Sequence, residues 1–277
     1  MSTVGATSAA DATRDAGRPQ QQYGRIVVVG GGCYGGYYVR QLLRAHCAGA
    51  LAWDELVVVD RDPSCAVSSL DVGERPPRLR LVVSDWHAFF DQYLSSAVQD
   101  PARLADAIVP SPLMPHLMAD WLLSSARGRW PERAVGIGSI ETLPSIPWQR
   151  SGDDGTRYVS FAEWICPINC IEPARCPETR GPRSWSLPST LATASGLGEG
   201  APSGLPLLFH CTHRAYGVGM IDVRDVVAAD AAIAERGSAG EAAFIVGTVS
   251  HCHGALRCIT IGPPSRERPG TVADFSR

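Results

Sequence analysis

The chain has 277 residues, 45% of them hydrophobic, and a formal net charge of −3, enough to bury a full core in one large or two small domains. It contains no lysine, so arginine carries the side-chain positive charge; this excludes Schiff-base chemistry, a phosphate-binding-loop lysine and a Tyr-x-x-x-Lys dehydrogenase pair. No basic run appears, which argues against a nucleic-acid partner, and no apolar segment approaches spanning length, which argues against membrane insertion.

In chain order, residues 1–23 are rich in Ala, Thr, Ser, Asp and Gln. They read as a disordered lead rather than a signal peptide, and the expectation is a cytoplasmic protein whose cysteines stay reduced. The β-branched run from Arg25 to Val29 then ends in Gly30-x-Gly32-x-x-Gly35, and a helical pattern follows over Tyr37–Arg44. The three glycines differ in what they do mechanically. Gly30 makes the tight turn, Gly32 lets a pyrophosphate approach the backbone, and Gly35 lets the helix pack close to the sheet. The helix start at Cys33 and Tyr34 offers N–H groups to phosphate. Leu56–Val59 is a second apolar run and ends in Asp60, placed to receive a ribose hydroxyl. Arg61 beside it could take a 2′-phosphate, so NAD and NADP both stay open.

Leu79–Val83 predicts a third strand, and Trp86–Ala97 a helix with Phe89, Phe90, Tyr93 and Leu94 at helical spacing. Ala107–Val109 predicts a fourth strand, His116–Ser125 an amphipathic helix, and Arg133–Ile137 a fifth strand. This alternation indicates a doubly wound parallel, Rossmann-like α/β sheet over residues 24–140. His116, just after the fourth strand, is the candidate acid–base residue.

From Glu141 the texture changes to Pro, Gly and Ser. Cys166-x3-Cys170-x5-Cys176 puts three cysteines within eleven residues, two of them followed by proline. Proline-rich turns hold thiolates together without a backbone ladder, which is what a zinc or iron–sulfur site requires. The spacing fits neither a short zinc knuckle nor a bacterial ferredoxin run, so the metal stays open. A fourth ligand could come from Cys252, which is favoured, or from Cys211 or a flanking histidine. Phe161, Trp164 and Trp185 would wall the site. Strands are expected at Leu205–Phe209, Ala242–Val246 and Leu256–Ile261, and a helix over Asp222–Arg236 stopped by Gly237. The second half, 141–265, is thus read as a cysteine-rich metal-binding region with returning α/β elements, and 266–277 as a tail.

Over Ile26–Asp60, the glycine loop, Asp60 and the following Arg61-Asp62-Pro63 resemble the TrkA-type nucleotide-binding domains of potassium-transport regulators. The resemblance covers about 120 residues, and it implies binding of NAD(H) or a related adenine nucleotide, often for sensing. The second half departs from that family. Its Cys166-Pro-x-x-Cys170-x-Glu172-Pro173 segment and Cys252-His253-Gly254 look like an uncharacterised bacterial group of Rossmann proteins with a cysteine-rich insert. The combined expectation is an NAD(P)-binding protein with a cysteine-ligated metal, oxidoreductase-like, acting on an unidentified small molecule or redox partner, with a homodimer possible. The alternative is a non-catalytic nucleotide- or redox-sensing module with a structural zinc.

Overall fold

The computed structural model describes residues 21–70, 78–164, 166–168, 170–193 and 206–264. The expected tail over 266–277, and all but the last three residues of the expected lead, lie outside the described residues. Those three, Gln21–Tyr23, already belong to a strand: β1 spans Gln21–Val29.

A helix α1 (Cys33–Cys47) follows, then strand β2 (Leu51–Asp60), strand β3 (Leu79–Val83), helix α2 (Trp86–Gln99) and strand β4 (Ala107–Val109). Strands β3, β2, β1 and β4 lie side by side in that order, all parallel. Their apolar runs are continuous because both faces are covered. Ile26, Val28, Leu56 and Val58 pack against Val39, Leu42 and Ala45 of α1. Val27, Val29, Val57 and Val59 point the other way, into Phe90 and Leu94 of α2.

The next elements are helix α3 (Leu117–Arg129), strands β5 (Val135–Gly138), β6 (Trp148–Ser151) and β7 (Arg157–Ser160), and the short helix α4 (Leu187–Ala192). They are followed by strands β8 (Leu207–His210), β9 (Thr212–Ala215) and β10 (Val218–Asp222), helix α5 (Val223–Ala239), and strands β11 (Ala242–Val249) and β12 (His253–Ile261). In place of the single parallel sheet that the alternation predicts, these build two mixed sheets. β10 joins the first sheet antiparallel to β4 and carries β9 at its edge. The second sheet runs β6-β7-β12-β11-β8, with β5 antiparallel to the second half of β12. Within it only β8 and β11 are parallel. The expected fifth strand is real, but it belongs to the second sheet.

Helices α3 and α5 fill the space between the sheets. Trp121, Leu122, Val226 and Ile233 meet Ile108 and Ile221 on one side and Phe244, Val246, Ile259 and Ile261 on the other. The outer face of the second sheet, with Val249, Leu256 and Cys258, is covered by Ile140, Ile146 and α4. The start of α1 and the carboxyl ends of β4, β7, β8 and β11 open onto the same region of the molecule. Among the described residues no helix is long and apolar enough to cross a membrane.

Candidate functional site

At the end of β1, Gly30 turns with φ of +85°, and its N–H reaches Val59 O at 2.8 Å. Only a residue without a β-carbon tolerates that turn easily. A Cβ at Gly35 would stand 1.8 Å from the Gly30 carbonyl oxygen, so the third glycine is what lets α1 close on the loop. Gly32 differs: no atom lies within 4 Å of where its Cβ would be. No side chain caps α1 and no acidic residue stands in its first turn, which leaves its positive end to another anion. Cys33 is exposed there, and Tyr34 is partly exposed beside it.

Asp60 faces the loop. Its Oδ2 accepts the Gly31 N–H at 2.6 Å and its Oδ1 accepts the Asp62 N–H at 2.9 Å. Arg61 is engaged elsewhere: its guanidinium pairs with Asp85 and lies 5.2 Å over the Trp86 ring. The Trp86 indole N–H in turn donates to Val59 O at 3.1 Å. Asp85 is held below the usual carboxylate range, first by the Ala88 N–H that it caps and then by Arg61.

Cys166, Cys170 and Cys176 lie on the irregular segment between β7 and α4. A small backbone turn fixes the last of them: Cys176 N–H donates to Gly181 O, and Arg180 N–H to Cys176 O, at 2.9 and 2.8 Å. The backbone N–H groups of Thr179 and Glu178 point at the Cys176 sulfur and pull its thiol below the ordinary value. Cys252 sits between β11 and β12, buried, and takes the Trp185 indole N–H on its sulfur at 3.2 Å. Burial pushes the Cys166 thiol up to about 11, and neighbouring Cys170, Cys252 and finally Cys176 push in the same direction. Cys166 is thus the thiol that the other three surround most closely in electrostatic terms. Among the described residues, no three Cys, His, Asp or Glu side chains are gathered closely enough to hold a metal ion as they stand.

His253 adds a nitrogen. Its Nε2 is 3.2 Å from Cys166 Sγ and its Nδ1 is 2.9 Å from Ser160 Oγ. Ser160 gives its own hydroxyl proton to Ala162 O at 2.7 Å, so Nδ1 is the donor and the Nε2 lone pair faces the sulfur. Burial lowers the His253 pKa and keeps the ring neutral.

Glu172 is the residue that sequence reasoning missed. It holds a left-handed backbone with φ of +53°, a strain that persists only where surroundings impose it. Its Oε1 accepts the His251 N–H at 2.9 Å. His213 Nδ1 stands 3.3 Å from Oε2, without the alignment of a hydrogen bond. Burial alone would raise the Glu172 pKa, but His213, Ser250 and the His251 N–H hold it at about 2. The visible signal was a carboxylate two residues after Cys170 and just before a proline; the backbone conformation left no mark in the sequence.

A cavity of about 650 Å³ lies between the start of α1 and the segment of Cys166 and Cys170; Gly30, Gly32, Cys33, Gly35, Asp60 and Arg61 are not among its lining residues. Tyr34 and Tyr38 of α1, Pro110 and Ser111 after β4, and Cys166 and Cys170 line it. Ser160, Glu172, His213 and His253 form its polar wall. The structure thus brings Tyr34 to two of the cysteines, with Cys176 and Cys252 behind that wall. His116 lies elsewhere. Its Nε2 is 3.6 Å from Asp120 Oδ2, in a cluster with Arg257 on the helix side of β12, and burial followed by Arg257 lowers its pKa.

Fold and site define a mixed α/β protein with a thiol-lined cavity between two sheets. The chain belongs to the AF_1314_C family, described as "Uncharacterized protein, C-terminal domain", whose model matches residues 118–262. That span begins in α3, runs to the end of β12 and holds all four clustered cysteines; the glycine loop lies outside it. Comparisons with curated proteins and with solved structures gave no match.

Proposed function

We propose that the protein is an oxidoreductase that binds NAD or NADP at the Gly30–Gly35 loop and a cysteine-ligated metal, zinc or an iron–sulfur cluster, at Cys166, Cys170, Cys176 and Cys252. The observation that carries this reading is the cavity shared by the first turns of α1 and by Cys166 and Cys170. The parallel order β3-β2-β1-β4 supports a Rossmann reading, in which β1 and β4 would flank the crevice where such sheets take ligands. The TrkA-type resemblance of Ile26–Asp60 supports the nucleotide half of the proposal.

The donors around the thiols suit a metal. N–H groups of Trp185, Thr179 and Glu178 point at sulfur, as they do around ligated thiolates. Among the described residues, the buried polar atoms without a hydrogen-bond partner include Trp164 Nε1, Arg183 Nε and His213 Nδ1, all in this half of the site. When bound, the nicotinamide would supply hydride transfer, an iron–sulfur cluster single electrons, and zinc a clasp or Lewis acid. The chain's own part is positional. Glu172 fixes His213 at the wall, Ser160 fixes the His253 tautomer, and Trp86 with Arg61 covers the end of β2.

Metal analysis with a visible spectrum, on protein purified without oxygen, tests the metal half. Iron with acid-labile sulfide, or stoichiometric zinc, supports it; metal-free protein overturns it. Calorimetry with NADH on wild type and Gly32→Leu tests the nucleotide half, with binding lost in the variant expected and retained affinity fatal to the assignment. The sensing alternative is favoured by the distance of His116 from the cavity, and it predicts zinc and NADH binding without turnover of carbonyl substrates.

A further inference from the structure

The ionisable side chains of the cavity are mostly acidic. Two carboxylates, Glu163 and Glu172, line it, the second beside His213 at 3.3 Å, and no arginine occurs among its described lining residues. The arginine next to the lining residue His213, Arg214, is committed to Asp222. An anionic substrate would lose its water here and gain no counter-charge, which is costly.

The wall is also aromatic. Tyr34, Tyr38, Trp148, Tyr158 and Trp164 all border the space, and the negative faces of tyrosine and indole rings attract a desolvated cation. At about 650 Å³ the cavity is in the range of small-molecule sites and has room for a ring beside the cofactor's nicotinamide.

We propose that the cavity selects a cationic, ring-bearing amine as substrate and rejects carboxylates and phosphate esters, with the half-buried carboxylate of Glu172 as counter-charge and the Tyr and Trp rings as its cage. The proposal rests on the reading of the cavity as the reaction chamber.

The test is calorimetry of the full chain, as purified, with three matched probes: benzyltrimethylammonium, benzyl alcohol and benzoate. The cation is expected to bind at least about tenfold more tightly than the alcohol, with benzoate undetected at millimolar concentration. Glu172→Gln should weaken the cation about fivefold or more and leave the alcohol unchanged. Exposed Glu163→Gln provides a second variant should Glu172→Gln fail to fold. Benzoate binding as tight as the cation, no cation binding at millimolar concentration, or cation affinity unmoved by either variant overturns the proposal. NADH titrated in parallel separates the two readings. NADH binding without cation preference sinks only the substrate class, whereas cation preference without NADH binding sinks the nucleotide assignment and leaves the selectivity standing.

Discussion

A methyl group added at Gly35 would meet the Gly30 carbonyl oxygen at 1.8 Å, while one added at Gly32 would meet nothing within 4 Å. The first contact is with backbone, so it cannot be relieved by a rotamer change. Gly35→Ala is expected to cost about 3 kcal/mol in urea denaturation, and Gly32→Ala less than about 1 kcal/mol. Equal costs would mean that the loop is not packed as described. Glu172 makes a different residue-scale prediction. Its folded pKa of about 2 lies below the ordinary 4.5, so its contribution is fully present above the unfolded value and is lost as pH falls from roughly 4.5 toward 2. Wild type should lose stability over that window, and Glu172→Gln should lose less of it, part of the decline remaining because Asp154 is also held at about 2. Parallel acid profiles would rule out this role. The glycine loop was legible in the sequence because its spacing is local. Glu172 was not, because its position depends on a left-handed φ and on partners from β9 and the turn before β12.

At the scale of elements, the same division between local and distant causes appears. The strands at Ile26–Val29 and Leu56–Val59 were readable because strands covered on both faces are apolar throughout. The hairpin of β9 and β10 was not: its turn uses Tyr216 and Gly217 with φ of +50° and +76° in place of an Asn-Gly signal. Gly237 was expected to stop α5, yet the helix runs on to Ala239. The glycine is there for packing, since a Cβ would lie 2.3 Å from the Trp130 ring. The stop comes at Gly240, whose φ of +152° leaves the helical region, and Arg133 caps that end, donating to Gly237 O at 2.6 Å and Gly240 O at 2.6 Å, and to Gly262 O at 2.8 Å. One guanidinium thus satisfies the end of α5 and the end of β12 together. Arg133→Met keeps the aliphatic stem and leaves those carbonyls unpaired, so a loss of about 2–3 kcal/mol is expected. A midpoint in urea unchanged from wild type would show that water replaces the side chain at no cost.

For the whole molecule, the question is whether two sheets mean two folding units. The cysteine pattern pointed to a distinct second half, but sheet membership is set by pairing between distant strands, which local patterning does not record. β5 belongs to the later sheet and β9–β10 to the earlier one, so the chain crosses between them more than once. One core cluster also takes Val27 and Val57 from the first sheet, Phe244 and Ile259 from the second, and Leu122 and Ile233 from the helices between. Neither sheet can lose its helical layer without exposing the other. Arg257 reinforces this junction. It is buried on β12, pairs with Asp120 of α3 and Asp154 of the β6–β7 turn, and donates to Thr156 Oγ1 at 2.9 Å. The expected outcome is one cooperative transition, with far-ultraviolet circular dichroism and tryptophan fluorescence giving the same urea midpoint. Arg257→Leu leaves the half-buried Asp120 without its guanidinium, while exposed Asp154 keeps its water, and should lower that common midpoint by the equivalent of about 3 kcal/mol, equally by both probes. If the probes separate in the wild type, the helical layer is not shared in solution as tightly as its packing implies. If they separate only in the variant, Arg257 is the specific tie that couples the glycine-loop sheet to the cysteine-bearing one.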